Sequence, residues 1–474
     1  MGKTREKFVE YFFKVFDFLH SKDLKTRIYK LFIILGLAFL TELNISISTV
    51  ALIATIVFVV AEWDASSIVW VCITGILSAS LTWSGVNYSI YVLCAILLIK
   101  FVLKFMAKKV EWKNWRFITI FSLYVLIIAL LLLPLSVDYK FTRQFVKVPF
   151  FTLLVLMIYF IKEVNIKDCL YLFTISVVAG GLMLCLADYC GGLKYKNNFP
   201  TYYSGGKVNR LTLFLKDPNF TGSILLCGLA CAYILHRRQK INNVLYFAFV
   251  AILGFFALRT ISKACLFMIT LLGLFILIEN IVKFIKTKNK KYLIELGVYL
   301  LIVAVVCAIE WKYVNALFYR FFKNTEGWWS EGGHAGVDEL TTGRFSLWMS
   351  YLKTIFGNPR MLFFGAGLNS GYIGGNSSHN LIIEYLYKFG ILICLSIVAI
   401  IVIGCVPYLK KCKFYNFVPP IIIIGIMCSI GSVLSRYFYV FALTYMTIVW
   451  NGVEPDDDYQ ISIDDEIKQL QNYN

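Results

Sequence analysis

The segment LYLFTISVVAGGLMLCL, residues 170–186, decides the fold class of this chain. It carries no charged side chain, and it is nearly as long as the roughly 20 apolar residues that a helix needs to cross the hydrocarbon core of a membrane. Comparable runs extend over residues 118–133 and 391–406. All three are apolar on every face, whereas the strands of a membrane barrel alternate in character. The sequence therefore predicts an all-α integral membrane protein.

The rest of the chain supports the same class. Of its 474 residues, 59% are hydrophobic and 16% are charged, and a mean hydropathy of +0.73 excludes a soluble protein. Fourteen apolar runs lie at about residues 29–42, 45–62, 66–83, 87–106, 117–135, 146–161, 168–187, 218–235, 242–258, 263–282, 293–310, 380–405, 416–433 and 437–451. The first two are so close that they form either a hairpin or one bent element. We therefore expect a polytopic bundle of about 12–14 transmembrane helices.

Positive charge is concentrated in short clusters between these runs. The formal charge of +18 would indicate a nucleic-acid partner in a soluble chain. The clusters occupy about residues 3–30, 100–116, 236–240, 283–291 and 410–413. Lys and Arg accumulate in cytoplasmic loops, and counting spans from an internal N-terminus places all five clusters on that side. The charge therefore reports topology, and we expect no nucleic acid among the partners.

The same count divides the chain into three parts. Residues 1–28 form a cytoplasmic amphipathic segment, in which Phe8, Phe12, Phe16 and Leu19 recur at helical spacing. This segment lacks the short apolar core of a signal peptide. Residues 29–452 form the transmembrane domain, and residues 453–474 form an acidic tail. Both termini are expected in the cytoplasm.

Two long loops are expected outside, at about residues 188–217 and 311–378. The second is far longer than a helix connection requires, and its many aromatic residues indicate an ordered segment. Phe345, Trp348, Leu352 and Ile355 fall at helical spacing, which predicts an amphipathic helix resting on the bilayer surface. The helix is expected to end at Gly357-Asn358-Pro359.

Thirteen cysteines raise the question of disulfides or a metal site. Nearly all lie within apolar runs or beside cytoplasmic clusters, and only Cys190 is expected outside. Cys227 and Cys231 share a helix face, but no nearby His or carboxylate completes a ligand set, so packing is favoured over metal binding. The external part also lacks a spaced acidic pair. We expect neither a metal nor another cofactor.

His379 is the histidine with the strongest case for chemistry. It stands where the long external loop ends and a membrane helix begins. One interpretation is that Ser378 or Asn380 caps that helix and His379 only lines the membrane interface. The other is that His379, whose residue type titrates near neutral pH, acts as a general base.

External cations run against the usual charge bias, and they gather on the same side as His379. They are Arg210, Arg259, Lys263, Arg320, Arg344 and Arg360. Guanidinium groups match the geometry of phosphate oxygens, so a converging set would form a diphosphate site. The alternative is that each cation separately reaches to a lipid phosphate.

Several motifs follow one another along residues 205–395 and carry a resemblance to a known family. They are D-P-N at 217–219 after Arg210, R-T-x-S-K at 259–263, T-G-R-x-x-x-W at 342–348, N-P at 358–359, G-x-G at 365–367 and S-H-N-x-x-x-E-x-L-x-x-x-G-I at 378–391. In this order and spacing they resemble the O-antigen ligase and polysaccharide polymerase family.

The resemblance implies a membrane glycosyltransferase that takes an undecaprenyl-diphosphate-linked oligosaccharide as donor. A hydroxyl of the glycan acceptor attacks the anomeric carbon with inversion, and the lipid diphosphate leaves. By position, His379 and Arg344 are catalytic, and Arg210, Arg259, Lys263 and Arg344 bind the diphosphate. The family commonly has Arg at the position of Lys263, and Lys lacks the bidentate fork.

Further candidates for the same site are Arg320, Asn380, Glu384 and Arg436. The resemblance places the protein in the bacterial cell membrane with its active site on the external face, in contact with membrane lipids. A flippase and a chain-length regulator are candidate partners.

Three alternatives remain open. A polymerase of capsule or exopolysaccharide repeat units is favoured over an O-antigen ligase, because frequent Lys, Ile, Asn and Tyr indicate an AT-rich genome. A flippase for the same lipid-linked sugars also fits the number of spans, although transporters usually show related halves. A glycosyltransferase using polyprenyl-monophosphate sugars would carry acidic residues in its first external loop, which here is only Glu42 to Asn44.

Overall fold

The computed structural model describes residues 2–44, 47–62, 67–77, 92–107 in part, 133–138, 165–192, 200–203, 206–214, 217–320, 343–367, 370–375 and 378–409, together with Leu443 and Met446. The spans predicted at 146–161 and 416–433, most of those at 117–135 and 437–451, the acidic tail and Arg436 lie outside the described residues.

The described chain is mostly helical. Its helices are α1 (Gly2–His20), α2 (Leu24–Leu43), α3 (Ser48–Ala61), α4 (Ile68–Ile76), α5 (Ile166–Tyr189), α6 (Pro218–Arg237), α7 (Asn243–Arg259), α8 (Lys263–Thr287), α9 (Lys291–Ile309), α10 (311–320), α11 (Arg344–Phe356), α12 (Pro359–Phe364) and α13 (Leu381–Leu409). Single 3-10 turns lie at Leu133–Leu135 and Ile373–Gly375, and a hairpin pairs β1 (Pro200–Tyr203) with β2 (Gly206–Asn209).

Four of these helices, α5, α6, α8 and α9, are long and apolar enough to cross a membrane. Two shorter apolar helices, α3 and α7, accompany them. A helical membrane protein is therefore the fold class that the structure supports, and the full count of spans stays a prediction. The expected hairpin or bent element at residues 29–62 is two helices, α2 and α3, that pack against each other.

Among the four membrane-spanning candidates that the structure describes, α6 is the most enclosed. Its apolar window is 83% buried, against 6% for α9, so α9 turns nearly all of its surface away from the described protein. Small residues let the neighbours of α6 approach closely: a Cβ on Gly228 would lie 3.0 Å from Val177, and one on Gly222 would lie 2.8 Å from Cys265. The cysteines of α6, Cys227 and Cys231, are buried in this packed core.

A cluster of buried charges joins the ends of α2, α3 and α5, and we call it the buried ion cluster. Arg27 lies 3.2 Å from Glu62 and 3.8 Å from Asp168, and Lys30 lies 2.8 Å from Glu62. Lys30 Nζ also donates to the carbonyl oxygens of Leu19 and Ser21. Cations buried this deeply are tolerated because carboxylates neutralise them, and the contacts fix the corner between α1 and α2.

The amphipathic helix predicted in the long loop is confirmed by α11. Gly357 ends it, and Asn358 caps α12 by accepting from the backbone N–H groups of Arg360 and Met361. Tyr351 and Ile355 are fully buried, and they pack on Ile383 and Tyr387 of α13. The apolar face of α11 thus covers the start of α13.

Two glycines of the predicted motifs interlock α12 with α13. Gly390 breaks α13 with a φ of 72°, so carbonyl groups in the preceding turn lose their helical partners. The N–H groups of Ala366 and Gly367 take them up, donating to the carbonyls of Tyr387 and Lys388 at 2.6 and 3.1 Å. A Cβ on Gly365 would overlap the Lys388 carbonyl oxygen. The G-x-G motif and Gly390 therefore have a structural role here.

The β-hairpin in the first long loop departs from the all-α prediction. Tyr202, Tyr203 and Val208 belong to residue types that favour strands, and Gly206 has a φ of 135° at the turn. Val208 packs against Ile261, Ala316 and Leu317, so the hairpin rests on the α7–α8 turn and on α10.

Candidate functional site

The turn between α7 and α8 is the centre of the candidate site. Three consecutive carbonyl oxygens point to one side of it: Arg259 O accepts from Leu211 N at 2.9 Å, Thr260 O from Arg210 Nε at 2.8 Å, and Ile261 O from an Arg320 guanidinium N–H at 2.6 Å. Ile261 has a φ of 48°, which is rare for a β-branched residue and is found at functional sites. The R-T-x-S-K motif thus forms a strained turn that receives two arginines.

The D-P-N segment holds one of these arginines from the other side. Asp217 caps α6 by accepting from Asn219 N at 2.8 Å and Phe220 N at 3.1 Å, and Pro218 starts the helix. Asn219 Oδ1 accepts from Arg210 Nη2 at 3.2 Å and from Ser262 Oγ at 3.0 Å. These hydrogen bonds fix the orientation of Arg210. Because the acceptors are neutral, they do not offset its positive charge.

Arg210, Arg320 and Arg344 form a group that we call the arginine cluster. Burial, followed by the charge of Arg320, lowers the pKa of Arg210 to about 9, and Arg344 acts in the same direction. Burial and the charge of Arg344 lower the pKa of Arg320, and burial lowers that of Arg344. Asp217 raises the pKa values of Arg210 and Arg344. Guanidinium groups from three separate segments are thus close enough to repel one another.

Arg259 is oriented differently from the arginine cluster. Its guanidinium pairs with Glu310 at 2.6 Å, and Glu310 is 3% exposed. The same group lies over the rings of Phe255 at 4.4 Å and Tyr313 at 5.4 Å. Glu310 and Tyr313 stand where α9 meets α10, the helix that carries Arg320. Arg259 therefore braces this junction, and a carboxylate neutralises its charge.

Lys263 is the first residue of α8, directly after the capping residue Ser262. Its Nζ is shielded from solvent. The cation therefore stands at the positive end of a helix beside the arginine cluster's turn, where an anion is favoured.

His379 lies at the start of α13, directly before the residue that caps this helix. Asn380 caps the helix by accepting from Ile382 N at 3.0 Å and Ile383 N at 3.2 Å, so the capping prediction is confirmed. His379 itself is partly exposed and has a φ of 48°, a conformation uncommon outside glycine. The hydrogen bond from Ser378 Oγ to Asn380 O spans His379 and stabilises this bend.

A hydrogen bond from α11 connects His379 to the arginine cluster. Trp348 Nε1 donates to the Ser378 carbonyl at 2.7 Å, directly before His379. Trp348 is one helical turn after Arg344, a rise of about 6 Å. The T-G-R-x-x-x-W motif therefore places two side chains on one face of α11: Arg344, and Trp348, which holds the backbone next to His379.

Other predicted residues have different surroundings. Glu384 is buried and pairs with Lys388 at 3.0 Å, so that pair is a structural contact within α13. Arg360 donates to the carbonyls of Leu135 and Ser136, at 2.8 and 3.2 Å, and it ties the long loop to residues 133–138 instead of joining the arginine cluster.

Two residues of the site were not expected from the sequence. Glu310 neutralises Arg259. The sequence feature that could have predicted this pair is the position of Glu310 at the end of an apolar run, on the same side as an external arginine. Trp348 was part of a motif, but its hydrogen bond to Ser378 depends on the fold. Among the described residues, no three His, Cys, Asp or Glu side chains come together as a metal site.

Comparisons with protein-family models, with curated proteins and with solved structures give no match to this chain. The geometry of the site is a set of partly buried guanidinium groups at and near the α7–α8 turn, and Trp348 of α11 donates a hydrogen bond to the residue before His379.

Proposed function

We propose that this protein is a polysaccharide polymerase, which transfers undecaprenyl-diphosphate-linked oligosaccharide repeat units onto another lipid-linked glycan at the outer face of the membrane. The observation that carries the proposal is the convergence of Arg210 and Arg320 on the α7–α8 turn, with Arg344 near enough for its charge to lower their pKa values. Neutral carbonyl and amide oxygens hold the guanidinium groups of Arg210 and Arg320, so two positive charges at the turn favour an anion. A diphosphate diester, with a negative charge on each phosphate, matches them.

The arginine cluster suits a leaving group better than a neutral substrate. The guanidinium groups of Arg210 and Arg320 are held by carbonyl and amide oxygens, so their positions are fixed before a ligand arrives. Fixed charge aimed at the atoms where negative charge develops lowers the barrier without reorganisation. As the bond between the anomeric carbon and the diphosphate oxygen breaks, the leaving diphosphate gains negative charge and the arginines stabilise it.

His379 supplies the other half of the proposed reaction. The acceptor hydroxyl oxygen forms the new bond to the anomeric carbon, and its proton passes to the imidazole of His379. General base catalysis of this kind contributes roughly 10²- to 10⁴-fold. The bend at His379 and the Trp348–Ser378 hydrogen bond hold the ring at the entrance to α13, where an acceptor on a membrane lipid can reach it.

The experiment that tests the proposal uses the purified full chain in detergent with a synthetic undecaprenyl-diphosphate repeat unit, a chelator and no nucleotide sugar. In detergent there are no separate membrane compartments, so a flippase has no detectable activity and forms no new glycan under these conditions. A polymerase forms longer lipid-linked glycans and releases undecaprenyl diphosphate. His379→Ala should abolish the ladder, and His20→Ala, at an exposed histidine of α1, should leave it intact.

Each result has a distinct meaning. Elongation lost in His379→Ala but retained in His20→Ala supports the polymerase with His379 as its base. Transfer to a lipid core or protein acceptor without elongation indicates the ligase. Absence of any glycosyl transfer by well-folded wild-type protein, together with movement of the same lipid across vesicles, would establish the flippase.

A further inference from the structure

A second charged cavity lies at the opposite end of the helices from the arginine cluster. It has a volume of about 610 Å³ and opens between the C-terminal ends of α6 and α8 and the N-terminal ends of α7 and α9. The turn beside Arg210 is at the other end of α6, which spans about 30 Å. The two sites are therefore separate, and the inference below does not rest on the proposed polymerase function.

The lining of this cavity is predominantly cationic. Its charged groups are Arg237, Lys240, Lys283 and Lys291, against the carboxylates Glu279 and Glu295. Among the described residues, four cations and two carboxylates line the cavity, which is a formal surplus of two positive charges when His236 is neutral. Three further exposed lysines lie outside this lining: Lys286 in the last turn of α8, and Lys288 and Lys290 in the turn that follows.

The two carboxylates orient the cations. Glu279 pairs with Arg237 at 2.5 Å and with Lys283 at 3.7 Å, and it also accepts from the hydroxyl of Tyr233. Glu295 lies 3.9 Å from both Lys291 and His236. These contacts restrict the rotamers of Arg237 and Lys283. Binding of an anion therefore costs little further side-chain conformational entropy.

An aromatic wall shapes the remaining side. His236 stacks on Tyr246 with ring centroids 4.0 Å apart, and Tyr246 shares a hydrogen bond with Tyr299. Lys283 lies over the ring of Tyr292 at 5.4 Å. The apolar windows of α8 and α9 are only 22% and 6% buried against the described residues, so the cavity stands beside apolar helix surfaces. At the end of such helices in a membrane, a cationic cavity is within reach of anionic lipid headgroups.

We infer that this cavity binds a phosphate-bearing anion, with Arg237, Lys240 and Lys283 as its contacts. The volume falls in the range of sites for small molecules, roughly 300–1,000 Å³. The same chemistry fits an anionic lipid headgroup that enters from the membrane and a soluble phosphate compound that enters from water. Ion pairs that serve only to hold α6, α8 and α9 together are the competing interpretation.

The test compares two double variants of the full chain. Lys240→Gln with Lys283→Gln removes two charges from the lining, and Lys286→Gln with Lys288→Gln removes two exposed charges from the same end of the bundle. Each protein is purified from vesicles of phosphatidylethanolamine with phosphatidylglycerol, and retained phosphatidylglycerol is measured by native mass spectrometry. In parallel, stabilisation by inorganic diphosphate is measured from the thermal midpoint in detergent, with Arg344→Gln in every protein so that binding at the arginine cluster is weakened.

The cavity variant should lose retention or stabilisation by about tenfold in apparent affinity, the usual effect of removing a charged contact. The outer variant should change it little. Lys240→Arg with Lys283→Arg keeps the charges and should recover binding, which separates lost binding from lost folding.

Response in the phosphatidylglycerol arm alone identifies a lipid headgroup, and response to diphosphate identifies a soluble anion. Equal losses in both glutamine variants, or no binding by the wild type in either arm, would overturn the inference.

Discussion

The buried ion cluster and the arginine cluster use the same cations in opposite ways. Arg27 and Lys30 both pair with Glu62, which is fully buried with them, and Arg27 also lies 3.8 Å from Asp168. Arg210 and Arg320 donate to neutral carbonyl oxygens, and their pKa values are lowered by burial and by the charge of another arginine of the cluster. In the buried ion cluster a carboxylate offsets the charge of the cations, whereas in the arginine cluster neutral acceptors leave the charge available to a ligand. The acceptors of the side chains, more than their burial, therefore distinguish these two clusters.

The largest effect is expected in the buried ion cluster. Glu62→Gln leaves Arg27 and Lys30 buried beside a neutral amide, and breaking such a pair costs about 3–5 kcal/mol of unfolding free energy. The thermal midpoint in detergent and the amount of protein in the membrane should both fall. Glu10→Gln breaks only the exposed pair with Lys14 and should leave both unchanged. A midpoint unaffected by Glu62→Gln would remove the contrast between the clusters.

In the arginine cluster, function should fall without loss of stability. Arg344→Gln removes one charge from the proposed leaving-group site, and the loss of one such donor lowers a rate by roughly 10²- to 10³-fold. Repeat-unit elongation by purified protein measures this change, and the thermal midpoint serves as the control. A destabilisation as large as that of Glu62→Gln would show that Arg344 is structural.

Arg259 tests the boundary between the two kinds of cation. If it acts through Glu310 to brace α10, Arg259→Gln and Glu310→Gln should each reduce elongation by about tenfold, and the double variant should be no worse than either. The three rates and the wild-type rate form a double-mutant cycle. Additive losses would mean instead that Arg259 contacts the diphosphate directly.

The smallest effect concerns pH. The pKa of Arg210 is lowered to about 9, so its charge is present at neutral pH and is lost as the pH rises through that value. Elongation should therefore decline by a few fold on the alkaline side, because the anion loses one favourable charge. Arg210→Gln should work at a lower rate and lack this alkaline decline. An unchanged decline in that variant would assign it to another group.

Local features of the site were predictable from the sequence because they depend on neighbouring residues. The spacing of Trp348, Leu352 and Ile355 predicted α11, and the residues at 357–359 predicted its end. Asn380 was recognised as a cap because side-chain oxygens at helix starts accept from exposed backbone N–H groups. The hairpin at residues 200–209 was missed, since a short pair of strands in a long loop leaves little periodic signal.

The sequence by itself determined that apolar helices dominate this protein. Its apolar runs are too many and too long to be buried in the core of a soluble domain of this size, so they require a lipid environment. It also placed the candidate residues in order along the chain. Only the tertiary structure decided which cations are neutralised by a carboxylate and which are held by neutral acceptors. Arg259 meets Glu310 from 51 residues away, and Arg210 meets Thr260 from 50 residues away. The physical reason is that electrostatic interactions depend on distance in space and on burial, neither of which a linear pattern of residues contains.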